Sequence, residues 1–172
     1  MYYLTIRQFM RTLKNLDAIL GKAEAHAEAH KFDVNNFCSA RVYPDMLPFL
    51  AQVRIACDTA KATAANLAGK EAPKHEDTEK TVADLRGRIG KCLTYLETLS
   101  AKDFERTTPE TLVKLPSRGD RPGKTLRANE YLYGRQIPNF YFHAVTTYDI
   151  LRAGGVEIGK NDFLGSLDFI DA

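Results

Sequence analysis

Asn139 and His143 stand four residues apart in the run PNFYFHAVTTYDILR (138–152), so on a helix both side chains project from the same face. An imidazole in such a place can ligate a metal, act as a base near neutral pH, or serve as a hydrogen-bonded core group, and the residues alone leave the three roles open. A second i, i+4 pair, His26 and His30 in AHAEAH (25–30), also has two-ligand geometry. No third ligand lies near it, and a histidine suits the negative end of a helix, so this pair reads as a solvated terminus. Asp45 can be a metal-site carboxylate, but its place before an apolar stripe makes it first a helix cap. Cys38, Cys57 and Cys92 include no CxxC pair, which argues against a thiol-ligated zinc site. GDRPGKT (119–125) is one residue short of a phosphate loop and follows no buried strand, and RGD (118–120) reads as a turn. GxSxG, HExxH and the dinucleotide-binding glycine pattern are all missing from the sequence.

The composition bounds what these residues can serve. The 172 residues suffice for one domain with a sizeable core, spanning 1–172. A net charge of +2 with no basic stripe gives no electrostatic footprint for nucleic acid. No apolar run approaches the roughly 18 residues of a membrane span. The opening MYYLTIRQFM lacks the pattern of a signal peptide, and three widely spaced cysteines suggest reduced thiols, so the expected compartment is the cytoplasm.

Four helical stripes must position the candidates. The first runs from about Thr5, a plausible N-cap, to His30, with Phe9, Leu13, Leu16, Leu20, Ala23 and Ala27 on one face and KFDVNN as the exit. The second begins with Asp45 as cap and Pro48 in the first turn, carries Met46, Leu50, Val53, Cys57, Ala60, Ala64 and Leu67, and ends at Gly69. Asp58, Thr59 and Lys61 fall off that stripe. The third follows Pro73, with Glu76, Asp77 and Glu79 near its positive end, and repeats at Val82, Leu85, Ile89, Cys92, Leu96 and Leu99. Gly87 and Gly90 within it suggest the close approach of another element. The fourth covers about Asn129 to Ala153, broken by Pro138 into a short lead-in and a main helix, with Tyr141, Ala144, Tyr148 and Leu151 on one side and Gly154-Gly155 as the stop. In the 100–128 connection, TLVKL (111–115) and KTLRA (124–128) flank a Pro/Gly-rich tip, which predicts a small β-hairpin or ordered crossover. The expected class is therefore an all-α four-helix bundle with that hairpin between the third and fourth helices.

Several blocks together resemble the DinB/YfiT-like four-helix-bundle superfamily, in an uncharacterised bacterial branch of it. They are SARVYPDMLPFLAQVRIACDTAK, PNFYFHAVTTYDILRAGGVEIGKNDFLG, HEDTEKTV and the opening MYYLTIRQF, and they cover nearly the whole chain. The resemblance implies a nickel- or zinc-type site of three histidines, one on the second helix and an HxxxH pair on the last. Some relatives of this kind act as metal-dependent thiol transferases or hydrolases. Counted back from ILR, His143 matches the last histidine, Asn139 stands at its HxxxH partner, and the helix-two position falls at or near Gln52. Two imidazoles are thus replaced by amides, which are weak ligands for zinc or nickel. The implied arrangement is a degenerate metal-site pocket near one end of the bundle, lined by Asp45, Gln52, Asn139 and His143. Its uses are small-ligand binding or a hydrogen-bonded cluster that fixes helix register; the alternative is a metal-dependent transferase or hydrolase with His143 as ligand. The resemblance and the apolar tail NDFLGSLDFI (161–170) together lead to the expectation of a homodimer.

Overall fold

The structure, a computed structural model, describes residues 1–117, 120 and 122–167. The first stripe forms α1, Tyr2–Ala29, whose buried face includes Ile6, Phe9, Leu13, Leu16, Leu20, Ala23 and Ala27. It starts before Thr5, with Met1 at the cap position and no capping side chain. Extending the helix buries Tyr2 and Ile6, and that gain outweighs the side-chain cap Thr5 would have supplied. The exit is a Schellman-type turn. Lys31 takes a φ of 58°, and Phe32 N–H reaches back to the Ala27 carbonyl at 3.0 Å.

Helix α2, Phe49–Ala68, begins later than expected. Pro48 is the N-cap and Asp45 lies in an exposed turn three residues upstream, so Asp45 does not cap it. Leu47 precedes a proline and is biased to extended backbone, which delays the first helical residue. Gly69, at φ 63°, ends the helix as expected. Val53, Cys57, Ala60, Ala64 and Leu67 are buried, while Met46 and Leu50 are half-buried. Thr59 and Lys61 fall off the apolar stripe yet are buried too, because α2 packs against three other helices.

Helix α3, Val82–Glu97, is closed at its start by a reciprocal box. Asp84 N–H donates to Thr81 Oγ1 at 3.1 Å, and Thr81 N–H donates to Asp84 Oδ2 at 3.0 Å. Glu76, Asp77 and Glu79 lie upstream in an irregular segment, so Asp84 is the acidic residue of the first turn. Gly87 and Gly90 face solvent with no neighbour within 4 Å, which corrects the expectation of a close approach there. Val82, Leu85, Ile89, Cys92 and Leu96 form the buried face instead.

The long connection holds a short 3-10 turn, Ala101–Phe104, and a hairpin of β1, Leu112–Leu115, and β2, Lys124–Arg127. The strands are antiparallel, with Val113 opposite Leu126. The turn sequence RGD and the phosphate-loop-like stretch 119–125 fall in part on residues outside the described set. The lead-in to the last long helix is a π-helical segment, Glu130–Gln136, followed directly by α4, Ile137–Ala153, with Pro138 in its first turn. Gly154 and Gly155 stop α4. A Cβ on Gly154 would come within 2.4 Å of Phe37 Cε1, and Gly155 has a φ of 92°. A short α5, Lys160–Leu164, packs on α1 and was not foreseen. In the tail NDFLGSLDFI, residues 168–170 lie outside the described set.

The core forms where α2 meets α3 and α4, and where α1 meets all three. Phe9 of α1 stacks on Phe140 of α4 with ring centroids 4.1 Å apart, both fully buried. No helix among the described residues is long and apolar enough to cross a membrane.

Candidate functional site

A polar seam runs through the contact between α2 and α4. On α2 it uses Gln52, Thr59, Thr63 and Asn66, spaced seven, four and three residues apart and therefore on one face. Opposite them lie His143, Asn139 and Gln136, with Tyr131 from the π-helical segment. Gln52 bonds His143, Thr59 bonds Asn139, and Asn66 bonds Tyr131. Numbers rise along α2 as they fall along α4, so the two helices are antiparallel.

The His143 end fixes the ring's tautomer. Gln52 Nε2 donates to the Leu47 carbonyl at 2.9 Å, which orients the amide and leaves Oε1 as an acceptor. His143 Nδ1 lies 2.6 Å from that oxygen, so Nδ1–H donates to Gln52 Oε1. The lone pair of the neutral ring is then on Nε2, which has no protein partner among the described residues. Burial holds the His143 imidazolium below its ordinary pKa of 6.5, so the ring is neutral at pH 7. Folding thus favours the uncharged ring. Its contribution to stability is complete above pH 6.5 and is lost as the pH falls below that value. In Gln52→Glu, a carboxylate accepts from Nδ1–H and favours the imidazolium. The His143 pKa, followed by NMR titration of the ring, is expected to rise by roughly one to two pH units. An unchanged value would mean that the two side chains do not meet in solution.

Asn139 does not point to His143. Its Nδ2 donates to Thr59 Oγ1 at 2.8 Å. Further along, the Tyr131 hydroxyl accepts from Asn66 Nδ2 at 2.8 Å and Gln136 Nε2 at 2.7 Å. Burial pushes the Tyr131 phenol pKa up. Of the four expected pocket residues, Gln52 and His143 are in contact, Asn139 belongs to the adjoining bond of the same seam, and Asp45 stays in its exposed turn. None of the four lines the cleft of about 430 Å³ formed by the 40–42 loop and the end of α4. One aromatic neighbour flanks His143. Phe142 stands edge-on to the imidazole at 5.3 Å, and Leu47, Phe142 and Val145 are exposed.

The donor set does not fit the three-imidazole site that the resemblance implies. Gln52 Oε1 is engaged by His143, and at Asn139 an amide that donates through Nδ2 to Thr59 stands where the resemblance implies an imidazole. Among the described residues, no group of three or more His, Cys, Asp and Glu side chains is gathered for a metal ion. His26 and His30 stack at the end of α1, with His30 Nδ1 2.9 Å from the His26 carbonyl. Thr59, Asn66, Tyr131 and Gln136 lie outside the apolar repeats by which the sequence reads as helices, although the polar positions of α2 keep the same helical period. A second missed feature is Arg88, a fully buried guanidinium among the carboxylates of Asp58, Asp77 and Glu79.

The fold and this seam define a DinB-like helical bundle. A crystal structure of a DinB family member protein from Shewanella denitrificans matches with a TM-score of 0.89 at 45% sequence identity, over 99% of this chain and 95% of that one. The family described as domain of unknown function DUF1993 matches residues 1–164, and the chain belongs to it. No curated protein matches the chain.

Proposed function

We propose that the chain is a small-ligand-binding module that keeps the bundle and the last histidine of a metal site without its partner imidazoles. The observation that carries this reading is the relay from the Leu47 carbonyl through Gln52 to His143 Nδ1–H. It locks the ring and turns one basic nitrogen, Nε2, away from the seam. Phe142, edge-on to the ring at 5.3 Å and exposed, supplies apolar surface beside it. This combination suits a ligand with an apolar body and one N–H or O–H donor. The test is a fragment screen by NMR on the labelled protein. Donor-bearing aromatic fragments should shift the Phe142, His143 and Val145 resonances, and the shifts should vanish in His143→Ala. Fragments that bind elsewhere, or equally well to that variant, would contradict the proposal.

One feature favours a second reading, a metal-dependent transferase or hydrolase in which His143 is a metal ligand. Metal-bound histidines commonly donate their other ring N–H to a carbonyl oxygen, as His143 does to Gln52. The exposed apolar rim also supports the expected homodimer, which light scattering at micromolar concentration tests. Cys57 and Cys92 are buried and free and Cys38 is half-buried and free, which supports a reducing compartment, the cytoplasm.

A further inference from the structure

Residues 70–81 join α2 to α3 without helix or strand. No backbone–backbone hydrogen bond holds residues 71–80 among the described residues. Its apolar content is slight, with only Ala72 and Pro73 half-buried. Cationic side chains hold it instead. Arg88 Nη1 donates to the Glu76 carbonyl and to Glu79 Oε1, each at 2.9 Å, and Arg88 Nη2 reaches Asp77 Oδ1 at 3.3 Å. Arg54 Nη1 donates to the Asp77 carbonyl at 3.3 Å. Arg88 also holds Asp58 of α2 through Nη2 at 2.9 Å, and Lys61 pairs with the same carboxylate at 3.0 Å.

The fit is incomplete. Arg88 Nε and His75 Nδ1 are buried without a hydrogen-bond partner, and Glu79 Oε2 has only the Arg54 guanidinium 3.9 Å away. Burial and the nearby charges of Lys61 and Arg88 hold His75 below its ordinary pKa. Lys91 adds a further positive charge facing His75. With the segment removed, Arg54, Lys61, Arg88 and Lys91 would leave α2 and α3 with a net cationic groove in which Asp58 and Asp84 are outnumbered. The segment itself carries Glu71, Glu76, Asp77 and Glu79 against Lys70, Lys74 and Lys80, and Lys70 is paired elsewhere, with Asp103.

We infer that the 70–81 segment is an internal acidic ligand of a cationic groove on α2 and α3, and that a compact polyanion takes the groove by displacing it. An attachment made by charges, with few apolar contacts and an unmet Arg88 Nε–H, exchanges readily for an anion that satisfies that donor better. The segment then opens while the helices stay folded.

Trypsin cleavage after the exposed Lys74 and Lys80 reads the opening, with mass spectrometry locating each cut and an unfolded peptide correcting for effects on the protease. Millimolar tripolyphosphate is expected to raise these two rates about tenfold over sodium chloride at equal ionic strength, since cleavage tracks the open population. The Asp77→Asn/Glu79→Gln variant, with helical content checked by circular dichroism, is expected to be cut faster without any anion. Equal effects of tripolyphosphate and sodium chloride would overturn the inference. So would an unchanged rate in the variant, or cleavage of the segment only in step with sites inside α1–α4.

Discussion

Replacing Arg88 with methionine is expected to lower the stability of the fold by about 3–5 kcal/mol. The guanidinium is 1% exposed and binds Asp58, Glu79 and the Glu76 carbonyl at 2.9 Å and Asp77 at 3.3 Å. Removing it alone leaves the buried Glu79 carboxylate beside two others with no central counter-charge. The cost therefore comes mainly from the buried Glu79 carboxylate, left with only Arg54 at 3.9 Å, more than from lost packing, since methionine fills similar space. In a chain of this size, that loss corresponds to a fall in melting temperature of roughly 10 °C. Arg127→Met is the control. Its partner is Glu110, both side chains are at least 70% exposed, and such a pair contributes within about 0.5 kcal/mol. Urea unfolding of the two variants checks the difference, and equal stabilities would mean that the Arg88 network is solvated and loose.

Phe140→Ala is expected to cost about 3–5 kcal/mol. The ring is fully buried, stacks on Phe9 at 4.1 Å and stands edge-on to Tyr141 at 5.3 Å. It lies between Asn139 and His143 in sequence and ties α4 to α1, while its polar neighbours tie α4 to α2. Loss of this ring leaves a cavity at the point where the three helices meet. The variant should retain its helices by circular dichroism but unfold at lower urea, and the His143 ring should titrate closer to its ordinary value as water enters. A loss below about 1 kcal/mol would show that the helices close over the gap.

The parts of the fold legible in the sequence are those governed by apolar period and by backbone chemistry. The stripes of α1 and α3, Gly69 as the end of α2, the two hairpin segments and the Gly154-Gly155 stop all stand where the residue pattern puts them. The misses share a different cause. The start of α2 moved past Asp45 because Leu47 precedes a proline, a local restriction that competes with capping. Glu76, Asp77 and Glu79 look like first-turn acids, but their charges are used by Arg88, twelve residues or fewer along the chain and reached only once α2 is in place. Thr59 and Lys61 look like surface positions on one stripe, and become interior because a second and third helix cover the other faces of α2. At the site, the resemblance named Gln52 and His143. Their bond depends on the antiparallel register of α2 and α4, which no local pattern encodes.

The role proposed for His143 is that of a locked, neutral imidazole for ligand recognition, not of one of three ligands to a tightly held ion. The most direct test is metal analysis of the protein purified without a histidine tag and dialysed against metal-free buffer. Clearly less than one equivalent of zinc or nickel is expected, unchanged in His143→Ala, because weakly ligating amides replace the other two imidazoles and Gln52 Oε1 is already engaged by His143. Stoichiometric zinc or nickel that survives dialysis and disappears in His143→Ala would contradict it.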